Sequence, residues 1–251
     1  MKYAVCLYGQ PRDYKLGHFN IKNFIENNNG NTFEFFIHCW GENNVLLGNS
    51  PWRRIDKKTL YIENMEQITK DLIHFYNPCK YEFEKPIKKF DLTNIKNSIA
   101  YKNMREAKKN NIHNTLSQIY SRNKVRDILD DYLKTVDTKY DMVITMRIDY
   151  AKDIKFKLKN IVKSKIYVSA IHRKRLIIPD NFIVCPIEKY LKWFNLYKNM
   201  QNIINNKELE YKINNINEKL ELNMEEYLLA NYLYYYNTED IIYSISIGSA
   251  F

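Results

Sequence analysis

Residues 140–150 of the chain read YDMVITMRIDY, an apolar run that ends in two charged residues. The apolar and β-branched part, residues 142–146, predicts a buried strand, and Arg147 and Asp149 follow it directly. In an α/β sheet, ligands bind where the strands end at their carboxyl termini. A carboxylate at that edge is costly to bury unless it has a partner such as a metal ion or a bound cation. The stretch therefore indicates an active-site edge or, more simply, a strand that ends in a surface ion pair.

Patterns on both sides of this stretch predict further strands and helices. Residues 3–8 and 33–39 read as strands, and residues 18–27 between them read as a helix, an order typical of a parallel sheet. Other strands are predicted at residues 79–83, 166–169, 182–185 and 241–247, and helices at residues 60–76, 115–136, 187–204 and 224–236. Residues 40–58 are expected to be irregular, and residues 94–111 fit either a helix or a mobile segment. No repeat or linker is visible, so we expect residues 1–251 to form a single α/β domain with a mostly parallel central sheet flanked by helices.

The composition predicts a folded protein and leaves the type of partner open. A formal net charge of +10 is compatible with nucleic acid or another anionic partner, but the basic residues are scattered along the chain rather than gathered in one tract. The 21 tyrosines could stack on bases. Most of them lie in apolar periodic segments, where core packing is the commoner use. Nucleic acid is therefore disfavoured, although a non-catalytic basic protein that binds nucleic acid or an acidic glycan is one alternative.

The cysteines and the apolar segments bear on the cellular compartment. Cys6, Cys39, Cys79 and Cys185 lie far apart, and all but Cys79 sit in apolar runs, which is typical of reduced thiols in a cytosolic protein and argues against a zinc site. Met1 leads almost directly into a predicted strand, so no secretory signal is expected. No apolar window approaches the length of a membrane span. We therefore expect a soluble, cytoplasmic protein.

Three other segments carry candidate functional residues, each with a simpler alternative. Gly9 and Arg12 follow the first strand, where glycine permits close approach of a ligand and arginine suits phosphate oxygens, although an ordinary turn fits as well. Arg122 and Lys124 lie in the helix of residues 115–136, either over a nucleotide or on an exposed basic face. Asp180 precedes a strand, as a turn residue or as a general base.

Two acidic residues at a predicted helix start complete the candidate set. Glu225 and Glu226 lie in the first turn of the helix at residues 224–236. Favourable placement at the positive end of the helix dipole explains them without any function.

The order of these segments resembles that of a known family. The chain runs from GQPR through FFIHCW, SQIYSRNK, YDMVITMRIDY and PDNF to NMEEYLL. In this order it resembles the small GT-A-type glycosyltransferases of bacterial surface-polysaccharide clusters and large DNA viruses. Their motifs are a GxxR turn, an IHxW strand, a YSxxK-like helix start, YDxVIRxRxD, a DN or DQ segment and an acidic helix start. The resemblance covers most of the chain, and residues 40–114 match only loosely.

The resemblance implies a transferase that uses a nucleotide-sugar donor and a glycan or protein acceptor. Such folds hold a divalent metal, Mn²⁺ or Mg²⁺, on the donor diphosphate with a DxD motif at the end of a central strand. Asp149 matches the second aspartate and is the candidate metal ligand, whereas Arg147 occupies the place of the first. Arg147 could instead supply positive charge to the diphosphate directly. This departure also leaves open a transferase-like fold without activity.

The resemblance also implies roles for the other candidates. It places the donor nucleotide near Gly9, Arg12, Arg122, Lys124, Arg147 and Asp149. Asp180 becomes the candidate base that activates the acceptor hydroxyl, with Glu225 and Glu226 as alternates. A base is needed only if the reaction inverts the anomeric carbon. The implied location is the cytoplasm, which is the host cytoplasm if the protein is viral.

Overall fold

The computed structural model describes residues 1–46, 61–62, 64–150, 154–169, 176–216 and 218–245. Several predictions lie outside these residues: most of the irregular segment at residues 40–58, the first residue of the helix at 60–76, the basic residues 172–175 and the last two residues of the strand at 241–247. No helix among the described residues is long and apolar enough to cross a membrane.

Seven of the strands form one mixed sheet. The described residues contain β1 (Lys2–Gly9), β2 (Thr32–Trp40), β3 (Val45–Leu46), β4 (Tyr61–Ile62), β5 (Lys80–Glu84), β6 (Met142–Arg147), β7 (Ile166–Ser169), β8 (Phe182–Pro186) and β9 (Ile241–Ile245). The sheet order is β5-β2-β1-β6-β8-β7-β9, and β3 pairs separately with β4. Within the large sheet, only β8 runs antiparallel to the other strands. The sheet is therefore mostly parallel, as predicted.

Helices cover both faces of this sheet. They are α1 (Tyr14–Glu26), α2 (Met65–Tyr76), α3 (Thr93–Lys96), α4 (Ile99–Lys102), α5 (Glu106–Lys109), α6 (Ile112–Leu133), α7 (Ile187–Trp193), α8 (Leu196–Ile204), α9 (Lys207–Asn214) and α10 (Met224–Leu233). Apolar residues of α1 and α2 pack on one face of the sheet, and those of α6, α7, α8 and α10 pack on the other. The protein is thus an α/β protein with helices on both sides of a central sheet.

Strand β1 lies near the middle of the sheet and contacts both apolar layers. Its even-numbered residues, such as Cys6, face the layer that contains α6, and its odd-numbered residues, such as Val5, face α1. Both sets are buried, which explains why the strand reads as a continuous apolar run. β1 pairs with β2 on one side and with β6 on the other. Since the chain leaves β1 toward β2 and later returns to β6, the strand order reverses between β1 and β6, and ligands of α/β proteins bind at such a point.

Several predicted boundaries were wrong for identifiable reasons. The helix predicted at residues 18–27 begins at Tyr14, because its first turn starts at Asp13, whose carbonyl accepts the Gly17 N–H. The helix predicted at residues 60–76 begins only at Met65, since Tyr61–Ile62 pairs with β3 and Asn64 caps the helix.

The other helix predictions also needed changes. Residues 187–204 form two helices that are separated at Phe194 and Asn195, and the helix predicted at 224–236 ends at Leu233. The undecided segment at residues 94–111 contains three short helices, and α9 was not predicted at all. The predicted core role of Cys6, Cys39 and Cys185 is confirmed, because all three are buried free thiols and burial raises the pKa of Cys6 to about 12.

Candidate functional site

Arg147 and Asp149 form a two-pronged ion pair at the carboxyl end of β6. Arg147 donates from Nε to Oδ1 of Asp149 at 2.7 Å and from Nη2 to Oδ2 at 2.6 Å. The side chain of Asp149 is only 2% exposed, whereas that of Arg147 is 24% exposed. Burial opposes the charge of Arg147, but the carboxylate of Asp149 raises the pKa of the guanidinium above its usual value. The pair is therefore not a surface ion pair, since its carboxylate is buried.

Helix α1 holds the segment that carries Asp149. A Cβ atom on Gly17 would overlap the carbonyl oxygen of Ile148 and would lie 3.1 Å from the Cα of Asp149. One turn later, Asn20 donates from Nδ2 to the Tyr150 carbonyl at 3.1 Å. The helix thus approaches the end of β6 at a distance that only glycine permits, and it fixes the backbone on both sides of the carboxylate.

Arg122 lies beneath the strand ends and supports Asp180. Its guanidinium carbon is 4.2 Å from the centre of the Tyr8 ring, and its Nη2 donates to the Asp180 carbonyl. The Tyr8 hydroxyl donates to the same carbonyl at 3.0 Å. The side chain of Arg122 is 0% exposed, and its Nη2 is 3.9 Å from Oδ2 of Asp180. Arg122 is therefore fully buried and does not lie on an exposed basic face. It positions Asp180 through the hydrogen bond to the Asp180 carbonyl.

The guanidinium of Arg122 has few partners for a buried cation. Its Nε and Nη1 atoms make no hydrogen bond to any residue that the structure describes. A buried charge is costly when it is poorly compensated. An anion that lies at the ends of β1 and β6 would reduce this cost, so the arrangement favours an anionic ligand.

Five side chains from four segments of the chain lie close together at the ends of β1 and β6, those of Tyr8, Arg122, Arg147, Asp149 and Asp180. Burial raises the pKa of Tyr8, and the charges of Arg122, Asp180, Arg147 and Asp149 all act on its hydroxyl. Tyr8 is paired in register with Arg147, and the Ile148 N–H continues the pairing by donating to the Tyr8 carbonyl at 3.0 Å. The fold therefore brings together residues from position 8 to position 180.

The turn after β1 opens beside this cluster. Gly9 has a φ of +109°, which L side chains rarely adopt, and apart from its chain neighbours no described residue lies within 4 Å of the place where its Cβ would be. Arg12 donates from Nη2 to Oε1 of Gln10 at 2.8 Å. The turn thus leaves open space next to the strand end, as a donor-binding role for Gly9 and Arg12 requires.

A buried hydrogen-bond chain, which the sequence reasoning missed, fixes the start of that turn. Gly9 N–H donates to Oγ of Ser121 at 3.1 Å, Ser121 Oγ lies 2.7 Å from Nδ1 of His38, and His38 Nε2 lies 2.7 Å from Oε1 of Glu84. The hydrogen bond from His38 lowers the pKa of Glu84, so its carboxylate accepts from Nε2 of His38. A lone histidine inside the apolar run FFIHCW was the available signal.

Lys124 lies at a different part of the sheet edge. Its Nζ is 2.7 Å from Oε1 of Glu82 in β5, two strands away from β1. Burial alone would lower the pKa of Lys124, but the contact with Glu82 raises it. The structure therefore does not place Lys124 beside the pair of Arg147 and Asp149.

The two glutamates at the start of α10 lie close to the Asp180 segment, in different environments. The Glu225 carbonyl accepts from the N–H of Ile178, two residues before Asp180. Glu226 is buried, accepts from Asn223, and has its Oε1 3.4 Å from Nζ of Lys108. The Asp180 side chain is 22% exposed and Glu225 is also partly exposed, so both are more accessible to a substrate than the buried Glu226.

Among the residues that the structure describes, the oxygen ligands around Asp149 do not fit a divalent metal ion. Both carboxylate oxygens of Asp149 accept hydrogen bonds from Arg147, and no group of three or more His, Cys, Asp or Glu side chains with metal-binding geometry occurs among the described residues. Mn²⁺ and Mg²⁺ need several oxygen ligands, and a metal at Asp149 would have to displace a fixed positive charge.

Comparison of the sequence with protein-family models and with curated proteins gives no match. Function is therefore inferred from the geometry of the strand ends and from the order of the sequence motifs.

Proposed function

We propose that this chain is a glycosyltransferase that moves a sugar from a nucleoside-diphosphate donor to a glycan or protein acceptor. The observation that supports it most is the buried guanidinium of Arg122, two of whose nitrogens have no hydrogen-bond partner among the described residues. It lies at the point where the strand order reverses, which is where α/β proteins bind nucleotides. A diphosphate at the strand ends would add negative charge near this cation, whose carboxylate partner, Asp180, is 3.9 Å away.

Each candidate residue receives a role in this proposal. Arg12 and Arg147 contact the donor diphosphate, and Gly9 lets the donor approach the backbone. Asp149 orients Arg147, and Arg122 positions Asp180. Lys124, which lies toward β5, would serve only the outer part of a donor.

The proposed reaction needs no covalent intermediate if the anomeric centre inverts. The acceptor hydroxyl oxygen attacks the anomeric carbon while the bond from that carbon to the diphosphate breaks. The electron pair of the broken bond stays on the diphosphate oxygen, where arginine side chains stabilise the charge. Asp180 takes the proton of the acceptor hydroxyl. Glu225 and Glu226 remain alternates for this base, and the proposed location is the cytoplasm, or the host cytoplasm for a viral protein.

A thermal-shift screen of UDP-, GDP- and CMP-sugars, with and without Mn²⁺, tests the proposed class. A ligand that binds only the folded state stabilises it by about 2.7 kcal/mol at one hundred times its Kd, or roughly 5–10 °C in Tm for a chain of this size. We expect the UDP-sugars or the GDP-sugars to produce such a shift, and the CMP-sugars, which carry no diphosphate, to produce none. Absence of a shift with every donor, together with a salt-sensitive gel shift of single-stranded DNA, would favour the nucleic-acid alternative instead.

A further inference from the structure

The ion pair at the end of β6 occupies the position where a diphosphate would need a cation. Nε and Nη2 of Arg147 each donate a hydrogen bond to one of the two carboxylate oxygens of Asp149. A guanidinium carries five N–H donors. Two of them bind Asp149, so three remain for another acceptor. The partly exposed side chain of Arg147 can therefore be held in place and still bind a second anion.

We propose that Arg147, oriented by Asp149, takes the place of a divalent cation at the donor diphosphate, so that the chain binds its nucleotide without metal. The inference rests on the proposed function and specifies how that site carries positive charge. A guanidinium is planar, permanently charged and suited to two-pronged contacts with phosphate oxygens. It can meet the charge that develops on a leaving diphosphate, as arginines do in phosphoryl transfer.

The surroundings keep this charge in place. Asp149 is buried, so movement of Arg147 toward solvent would remove two hydrogen bonds and a positive charge from a buried carboxylate, which is costly. Gly17 and Asn20 hold the backbone on both sides of that carboxylate. The guanidinium therefore has a fixed position before any ligand arrives, which is what a preorganised charge requires.

Equilibrium binding of UDP and GDP to the wild-type protein, in EDTA and in MnCl₂, tests the inference. We expect the Kd of the nucleotide that binds to differ by less than about twofold between the two buffers. Binding that appears only with Mn²⁺, or a Kd at least about tenfold weaker in EDTA, would overturn the inference and leave the proposed function standing. Failure of both nucleotides to bind in either buffer would overturn the proposed function itself.

Two substitutions of Arg147 test whether its positive charge takes the place of a metal ion. Arg147→Gln should weaken binding by about tenfold or more in both buffers, because no cation replaces the guanidinium. Arg147→Asp should weaken binding in EDTA and regain it with Mn²⁺, because a second carboxylate beside Asp149 provides a metal site. A folded Arg147→Gln variant with wild-type affinity in EDTA, or a folded Arg147→Asp variant that ignores Mn²⁺, would overturn the assignment. Arg147→Gln keeps the test decisive if Arg147→Asp does not fold.

Discussion

At the scale of single residues, Gly17 controls how closely α1 approaches the carboxylate of Asp149. Its missing Cβ leaves room for the Ile148 carbonyl, and it lies against the backbone of Asp149 itself. Glycine inside a helix costs about 1 kcal/mol relative to alanine, so its presence there needs a reason. The contact with the end of β6 provides that reason.

We predict that Gly17→Ala destabilises the protein and weakens nucleotide binding. Alanine recovers about 1 kcal/mol of helix propensity, but a clash with backbone cannot relax as a clash with a flexible side chain does, and overpacking of this kind costs about 1–3 kcal/mol. The free energy of unfolding in urea and the Kd of the nucleotide measure the two effects.

Gly41→Ala is the matched control for this change. Among the described residues, a Cβ on Gly41 would overlap the side chain of Met65, which can move away. It should leave nucleotide binding unchanged. Equal losses of affinity in both variants would show that Gly17 has no particular role at the site.

The sequence predicted some residues of the site and missed others for a physical reason. Arg147 and Asp149 were identified because strand and charges are adjacent in the chain. Arg122 was predicted to lie over a nucleotide or on an exposed basic face, because its contact with the Asp180 carbonyl spans 58 residues and helix periodicity does not reveal that a basic residue is buried. Gly17 left no signal, since the predicted helix began after it.

At the scale of elements, the chain of Glu84, His38 and Ser121 links the ends of three strands to α6. Glu84 ends β5, His38 lies near the end of β2, and Ser121 on α6 accepts from Gly9 at the end of β1. Such a chain holds the first residue of the turn that carries Arg12. Its hydrogen bonds join residues of different strands and of α6, and a single sequence does not show which elements come into contact.

We predict that Ser121→Ala weakens nucleotide binding by roughly three- to tenfold as well as lowering stability. The change removes the acceptor of the Gly9 N–H and leaves Nδ1 of His38 buried without this partner, which costs about 1–3 kcal/mol. Binding and urea unfolding of the same preparation give both quantities.

Ser98→Ala removes a hydroxyl of similar burial at a distant position. Ser98 is 0% exposed and caps α4, so its loss costs about 0.5–2 kcal/mol. Nucleotide affinity should survive this change. If Ser98→Ala weakened binding as much as Ser121→Ala, the effect would reflect lost stability rather than a loosened turn.

Glu34 on β2 provides a prediction about pH. Lys2 lies 2.7 Å from its carboxylate, and Tyr140 donates to it. Burial tends to raise the pKa of Glu34, but these two contacts lower it below 4.5. Its contribution to stability is therefore complete above the unfolded pKa and is lost as the pH falls through the lowered value.

We expect Glu34→Gln to be less stable than the wild type at pH 7 and to approach it in acid. Urea unfolding at pH 7 and at about pH 3 measures the difference. A stability difference that stays constant over this range would show that the charge of Glu34 does not contribute.

At the scale of the whole molecule, one sheet between two apolar layers brings distant residues to a single edge. Parallel pairing of β1 with β6 places Tyr8 beside Arg147, and the segment before antiparallel β8 adds Asp180. The order of strand, helix and strand over residues 3–39 predicted the mostly parallel sheet, because parallel neighbours need a crossover helix between them. The antiparallel direction of β8 depends on pairing that the local pattern does not encode.

The core also accounts for many of the aromatic residues. Tyr3, Tyr8, Tyr190, Tyr227 and Tyr232 are all at most 1% exposed. Buried rings cannot stack on bases, so this part of the tyrosine content does not support binding of nucleic acid.

Release of nucleoside diphosphate from the donor found in the thermal screen tests the central claim, that the edge formed by β1 and β6 is a glycosyltransferase active site. We predict turnover by the wild type and a loss of roughly 100-fold or more in folded Asp149→Asn, because Arg147 loses the charge that orients it. Asp141→Asn is the control, since Asp141 precedes the opposite end of β6 and binds the Lys2 N–H at 2.9 Å; it should keep wild-type turnover. Wild-type turnover by a folded Asp149→Asn variant would contradict the assignment.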